Sequence, residues 1–116
     1  TLELTVSPVR NPTYVTLSDG SIRNAYDLRL RNREGQTQEV TLRLTGPEGL
    51  VLAIEGAEGA MIPVAADSQR QIRVYVTAAP EAHAASRDRS AISFTVEDLA
   101  TGETAEVASS FNGDPK

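Results

Sequence analysis

His83 and Met61 are the single histidine and the single methionine of the chain, and a copper site would need both. Imidazole and thioether suit that metal. The two residues stand on separate loop-like segments, and a working metal centre needs convergent ligands with groups behind them that fix their orientation. The expectation is a solvent-facing histidine and a gap-filling methionine. Carboxylates number sixteen, but general acid–base chemistry needs two in one pocket whose surroundings drive their pKa values apart. Glu97, Asp98 and Asp27 fall on strands or strand ends, where solvation is expected. A Ser–His–Asp triad would have to recruit His83 from an Ala-rich stretch without a nucleophile-elbow motif. Asp19 and Asp67 lack the spaced acidic followers of a calcium loop. Cysteine is absent, which removes disulfides, thiolate nucleophiles, zinc ribbons and iron–sulfur ligation from this chain. The sequence therefore predicts no catalytic residue, no cofactor-binding residue and no metal ligand, and no enzyme activity in this domain.

The run Ser18-Asp19-Gly20-Ser21-Ile22-Arg23-Asn24 is richer. In one reading it is turn chemistry: Asp19 bonds the turn backbone, Gly20 takes the left-handed conformation, and Arg23 or Asn24 bonds loop carbonyls. In the other, Arg10, Asn11, Asp19, Arg23 and Asn24 form a protein-contact surface. The residues alone leave both open.

The elements that must position these residues are strands. Apolar side chains alternate with polar ones at Leu2–Val6, Tyr26–Arg31, Val40–Thr45, Ile72–Thr77 and Ile92–Glu97, and more weakly at Ala105–Phe111. A period of two marks half-buried strands. Tyr14–Leu17 suits a short edge strand, and the apolar run Leu50–Ile54 a strand covered on both faces or a buried turn. Ser18–Ser21, Gly46–Gly49, Gly56–Gly59 and Thr101-Gly102 supply turns. Pro8 and Pro12 bracket a bend where the first strand could change sheets. Pro80–Ala85 is the one helix-like stretch, with Pro80 placed to start a single turn.

With 116 residues, one core is expected. The sequence predicts a single all-β domain over 1–116, an immunoglobulin-like antiparallel β-sandwich of about seven or eight strands, with an up-and-down barrel as the structural alternative. Aromatic residues are few, so Val, Leu and Ile must fill the interior.

The net charge of −5 and pI near 4.8 oppose phosphate backbones and anionic headgroups, so nucleic acid is excluded as a partner. Arg29, Arg31 and Arg33 alternate along a strand and read as a solvated face. No run reaches the ~20 apolar residues of a membrane-spanning helix, so direct membrane insertion by this segment is not expected. The chain starts without Met and ends on a polar run, Asn112–Lys116, and reads as an excised piece of a larger protein.

The stretch Val9–Asn32, with Arg10-Asn11-Pro12, then Ser18–Asn24, then an alternating strand ending in Asn32, resembles the opening of the C-terminal domain of the FixG/CcoG family. Those proteins are accessory factors of cbb-type cytochrome c oxidase. Ile72–Val76 and Ile92–Val96 fit the same pattern. The resemblance implies an immunoglobulin-like domain on the periplasmic side of the bacterial inner membrane, tethered through the parent's transmembrane helices. It implies a parent with iron–sulfur clusters elsewhere, engaged in oxidase assembly and copper handling, including reduction of cupric ion. Implied partners are oxidase-assembly factors, oxidase subunits or other domains of the parent. The family's redox motifs are Cys-based, so none of its redox residues carries over to a position here. The alternative is an independent carbohydrate-binding sandwich of a secreted protein, for which Tyr14 and Tyr75 are the available aromatic platforms.

Overall fold

Side chains that alternate between apolar and polar can be buried only if the strands carrying them pair into sheets that face one another. The computed structural model, which describes residues 2–9, 13–56 and 61–114, shows this arrangement. Its elements are β1 (Leu2–Pro8), β2 (Val15–Thr16), β3 (Ile22–Asn32), β4 (Gln38–Thr45), β5 (Leu50–Ile54), β6 (Met61–Val64), β7 (Ser68–Ala78), α1 (His83–Ser86), β8 (Ser90–Asp98) and β9 (Thr104–Phe111). One sheet has the order β1-β3-β7-β5, with β2 also paired to β3; the other has the order β6-β4-β8-β9. Every pairing is antiparallel. The sheets are separate, so the architecture is a sandwich and not a barrel.

β3 and β7 pair over eleven residues each, from Ile22↔Ala78 to Asn32↔Ser68, and form the spine of the first sheet. Their inward residues Tyr26, Leu28, Leu30, Val74 and Val76 meet Val40, Leu42, Phe94 and Val96 of the second sheet, all buried. The Tyr26 and Phe94 rings meet edge to face at 5.0 Å between centroids, the favoured geometry for aromatic pairs.

Among the described residues nine strands form where about seven or eight were expected. The additional one, β6, is four residues long and carries Pro63, a residue the sequence pattern treats as a breaker. It is tolerated because β6 is an edge strand, bonded only to β4. β5 is a strand, but at a sheet edge and not covered on both faces: Val51 is 65% exposed. The change of sheet expected between Pro8 and Pro12 does not occur, since β1 and β2 both pair with β3; Pro12 itself lies outside the described residues. The helical turn begins at His83, three residues after Pro80, because Ala82 is still extended and its N–H closes a tight turn onto the Ala79 carbonyl.

Candidate functional site

Among the described residues, buried polar contacts gather at both ends of β3. Its even-numbered residues point inward, so the same alternation that buries Tyr26, Leu28 and Leu30 also drives Asn24 and Asn32 into the sandwich. A buried amide must find partners for its donor and acceptor alike. Asn24 finds both on one residue of the C-terminal segment. Its Nδ2 donates to the Asn112 carbonyl at 2.8 Å, and its Oδ1 accepts the Asn112 N–H at 2.7 Å. The Tyr26 hydroxyl donates to the Ser110 carbonyl at 2.7 Å and lies 3.4 Å from Asn24 Oδ1. Burial pushes the Tyr26 phenol well above the ordinary tyrosine range.

At the other end, Asn32 Nδ2 donates to the carbonyls of Gln36, Val64 and Ala65, while its Oδ1 accepts the Glu34 N–H at 2.8 Å. This one side chain ties the β3–β4 loop to the end of β6. The polar stretch after β9 is likewise held: the Gly113 N–H bonds the Arg87 carbonyl and the Asp114 N–H bonds that of Ala85, both at 2.9 Å. A Cβ at Gly113 would stand 2.2 Å from the Ala84 oxygen, so only glycine lets the segment approach α1 this closely.

Of the five residues read as a contact surface, Arg10 and Asn11 lie outside the described residues. Of the other three, Asn24 is buried and contributes nothing to a surface. Asn24 points inward, whereas its neighbour Arg23 points outward, as the period of two demands. Arg23 places its guanidinium 4.7 Å from the Tyr75 ring centroid, a cation–π contact. Asp19 stays in its turn, where Oδ1 accepts the Ser21 N–H at 2.9 Å; that bond holds its carboxyl below the usual range. Gly20 adopts φ of +91°, which an L side chain would resist.

His83 is exposed on α1, and Met61 is 52% exposed on β6, in a different part of the fold. Among the described residues, no three His, Cys, Asp or Glu side chains gather as a metal group would require. Asp27 pairs with Arg73 at 2.6 Å on the outer face of the first sheet. Asp98 departs from the expected solvation. It points inward with 2% of its surface exposed, accepts from Gln38 Nε2 at 2.5 Å and from the Ala100 N–H at 2.8 Å, and is held below the usual carboxylate range chiefly by the Ala100 bond. Of the two aromatic platforms, Tyr75 is covered by Arg23 and donates its hydroxyl to Glu55. Tyr14 is half-buried against the core, and its phenol is pushed up by burial first and by the nearby Asp114 carboxylate second.

Sequence reasoning missed Gln38, Asn112 and Gly113. The first reads as an ordinary strand polar residue; the others sit in what composition alone marks as a solvated tail. The inward phase of Asn24 and Asn32 on β3 was the available clue, because a buried amide demands a backbone partner from elsewhere in the chain.

Comparison with known proteins agrees with this geometry. Residues 1–114 match the family described as "IG-like fold at C-terminal of FixG". Protein RdxB of Cereibacter sphaeroides is 41% identical over 112 residues, covering 97% of this chain and 24% of that protein. Protein RdxA of the same organism is 53% identical over 77 residues, 66% of this chain and 16% of that protein. The nitrogen fixation protein FixG of Rhizobium meliloti is 35% identical over 81 residues, again 66% of this chain and 16% of that protein. The chain thus spans less than a quarter of the length of these curated relatives. The crystal structure of a FixG-related protein from Vibrio parahaemolyticus superposes with a TM-score of 0.82 at 22% identity, covering 97% of this chain and 95% of that one, which shows the shared fold. By its match over nearly all its length and by the sandwich it forms, this chain belongs to the family of immunoglobulin-like domains found at the C-terminus of FixG.

Proposed function

We propose that this domain is a non-catalytic interaction and scaffold module of a membrane-bound iron–sulfur protein of the FixG type, standing on the periplasmic side of the bacterial inner membrane. Through its parent it serves cbb-type cytochrome c oxidase assembly and copper handling, with oxidase-assembly factors, oxidase subunits or other parts of the parent as its partners. Family membership supports the parent's identity, and with it the expected location and process. One observation supports the division of labour. Three polar side chains of the family-like stretch are bonded to this chain's own atoms: Asn24 to Asn112, Asn32 to three carbonyls, Asp19 to its turn. These three are committed to holding the fold.

The iron–sulfur clusters implied for such a parent do not fit residues of this segment. Cluster binding rests on cysteine thiolates, and the chain has none. Electron-transfer chemistry is therefore assigned to the remainder of the parent. Among the described residues no helix is long and apolar enough to cross a membrane, so tethering also falls to other segments.

The test is a deletion of residues 1–116 from the full-length parent. The expected result is an unchanged iron–sulfur signal by electron paramagnetic resonance and unchanged reduction of cupric ion, together with a fall in assembled oxidase. Loss of the clusters, or cupric reduction by the separate domain, would overturn the division.

A further inference from the structure

The two outer faces of the sandwich differ in charge. Among the described residues, the strands of the first sheet direct four arginines and two carboxylates outward, and those of the second direct one arginine and three carboxylates. On the first face, Arg73 is paired with Asp27 and Arg23 lies over Tyr75. Arg29 and Arg31 are exposed and have no ion pair among the described residues. They stand on β3, which is flanked by β1 and β7, so they lie on an interior strand, toward its C-terminal end. Their cross-strand neighbours give them no counter-charge except Glu3, which is bonded to Arg33 at 3.0 Å; the others are Thr5, Gln69 and Gln71. Beside Arg29 the face dips into a hollow of about 40 Å³ lined by Thr5, Ser7, Asp27 and Gln71.

We propose that this face docks an acidic, extended segment of a partner protein, with carboxylates seated on Arg29 and Arg31. The assignment rests on the domain being an interaction module. Guanidinium forks match carboxylate geometry better than point-like ammonium groups do. Two residues apart on one strand, the two arginines are about 6.6 Å apart along the sheet, the spacing of alternate side chains in an extended partner. The Thr5, Gln69 and Gln71 side chains beside the two arginines offer further donors to a peptide backbone lying across the strands. An anionic bilayer is disfavoured, because its extended negative surface potential repels a domain whose net charge is −5.

The test is a nuclear magnetic resonance titration of the domain with the peptide Glu-Thr-Glu-Thr-Glu at low salt. The expected result is weak saturable binding, with shifts centred on Arg29, Arg31 and Gln71, that fades as added salt screens the charges. The double variant R29Q/R31Q should bind about ten-fold more weakly, while R43Q on the opposite face should bind as the native chain does. The isosteric peptide Gln-Thr-Gln-Thr-Gln should not bind. Undiminished binding by R29Q/R31Q, or shifts spread over both faces, would overturn the proposal. So would capture by phosphatidylglycerol vesicles without binding of the peptide, or a peptide-independent dimer that dissolves in the double variant. In the full-length parent, a fall in oxidase assembly on domain deletion but not in R29Q/R31Q rejects this face alone. A deletion without effect rejects the interaction module with it.

Discussion

Replacing Asn24 by alanine removes two hydrogen bonds at once and strands the N–H and carbonyl of Asn112, which the amide had satisfied at 2.7 and 2.8 Å. A buried polar group left without a partner costs about 1–3 kcal/mol. Asn112 is half-buried, so water can reach part of what is exposed, and the sum falls to about 2–4 kcal/mol. Against a total stability of about 5–15 kcal/mol, that is a large fraction. For a domain of this size it corresponds to a fall in Tm of about 8–16 °C. Urea unfolding should show the midpoint moving down with the slope unchanged, because the same surface is exposed on unfolding. The companion variant Y26F loses only the hydroxyl bond to the Ser110 carbonyl and should cost about 1–2 kcal/mol. Both groups hold the same segment, so N24A/Y26F should be less destabilised than the two single losses combined. Amide exchange at Asn112, Gly113 and Asp114 should accelerate in N24A beyond the change in global stability. A loss below about 0.5 kcal/mol, within the range of ordinary surface substitutions, would refute the assignment of Asn24 as a clamp.

Gly113→Ala must displace the segment from the Ala84 and Arg87 carbonyls, which lie 2.2 and 2.4 Å from the added carbon. Thermal denaturation should show a loss comparable to a core overpacking change, about 1–3 kcal/mol. The pH profile follows from Asp19 and Asp98, whose folded pKa values are lowered by the Ser21 and Ala100 N–H groups respectively. Depressed carboxyls stabilise the fold above their unfolded pKa of about 4, and that stability is lost as pH falls through the lower folded values. Urea midpoints measured downward from neutral pH should therefore decline in acid, with a shallower decline in D19N and D98N. The Asp27–Arg73 pair is 32% and 39% exposed, so a double-mutant cycle should give a coupling of no more than about 1 kcal/mol.

The strands were legible because alternation is a local property. Val40, Leu42 and Leu44 against Thr41 and Arg43 need no knowledge of the partner sheet to announce a half-buried strand. β6 was not legible, because Ile62 and Val64 are too short a run to outweigh Pro63, and the strand forms only where β4 offers an edge. Sheet order was equally hidden: which strands become neighbours depends on long-range contacts, such as β5 settling on β7 and not on β4. Asp98 shows the same limit at the level of one side chain. Its position beside the exposed Leu99 reads as a solvated strand end, yet the strand phase turns it inward toward Gln38, sixty positions away in the chain.

Among the described residues of the stretch that carries the family resemblance, several close the sandwich. Asn24 fastens the last strand's exit, Asn32 fastens β6, and Asp19 with Gly20 sets the turn that aligns β2 against β3. Replacing any of them disturbs partners distant in sequence, so a sequence that keeps this fold has little freedom there. Arg29 and Arg31 alternate with those constrained positions but face water, where folding demands only a polar side chain. A motif rich in folding constraint therefore identifies the architecture and is silent on the partner. Under the proposed role as an interaction module, the partner is to be sought on the permissive face, where an arginine without an ion pair on an interior strand is informative because packing does not require it.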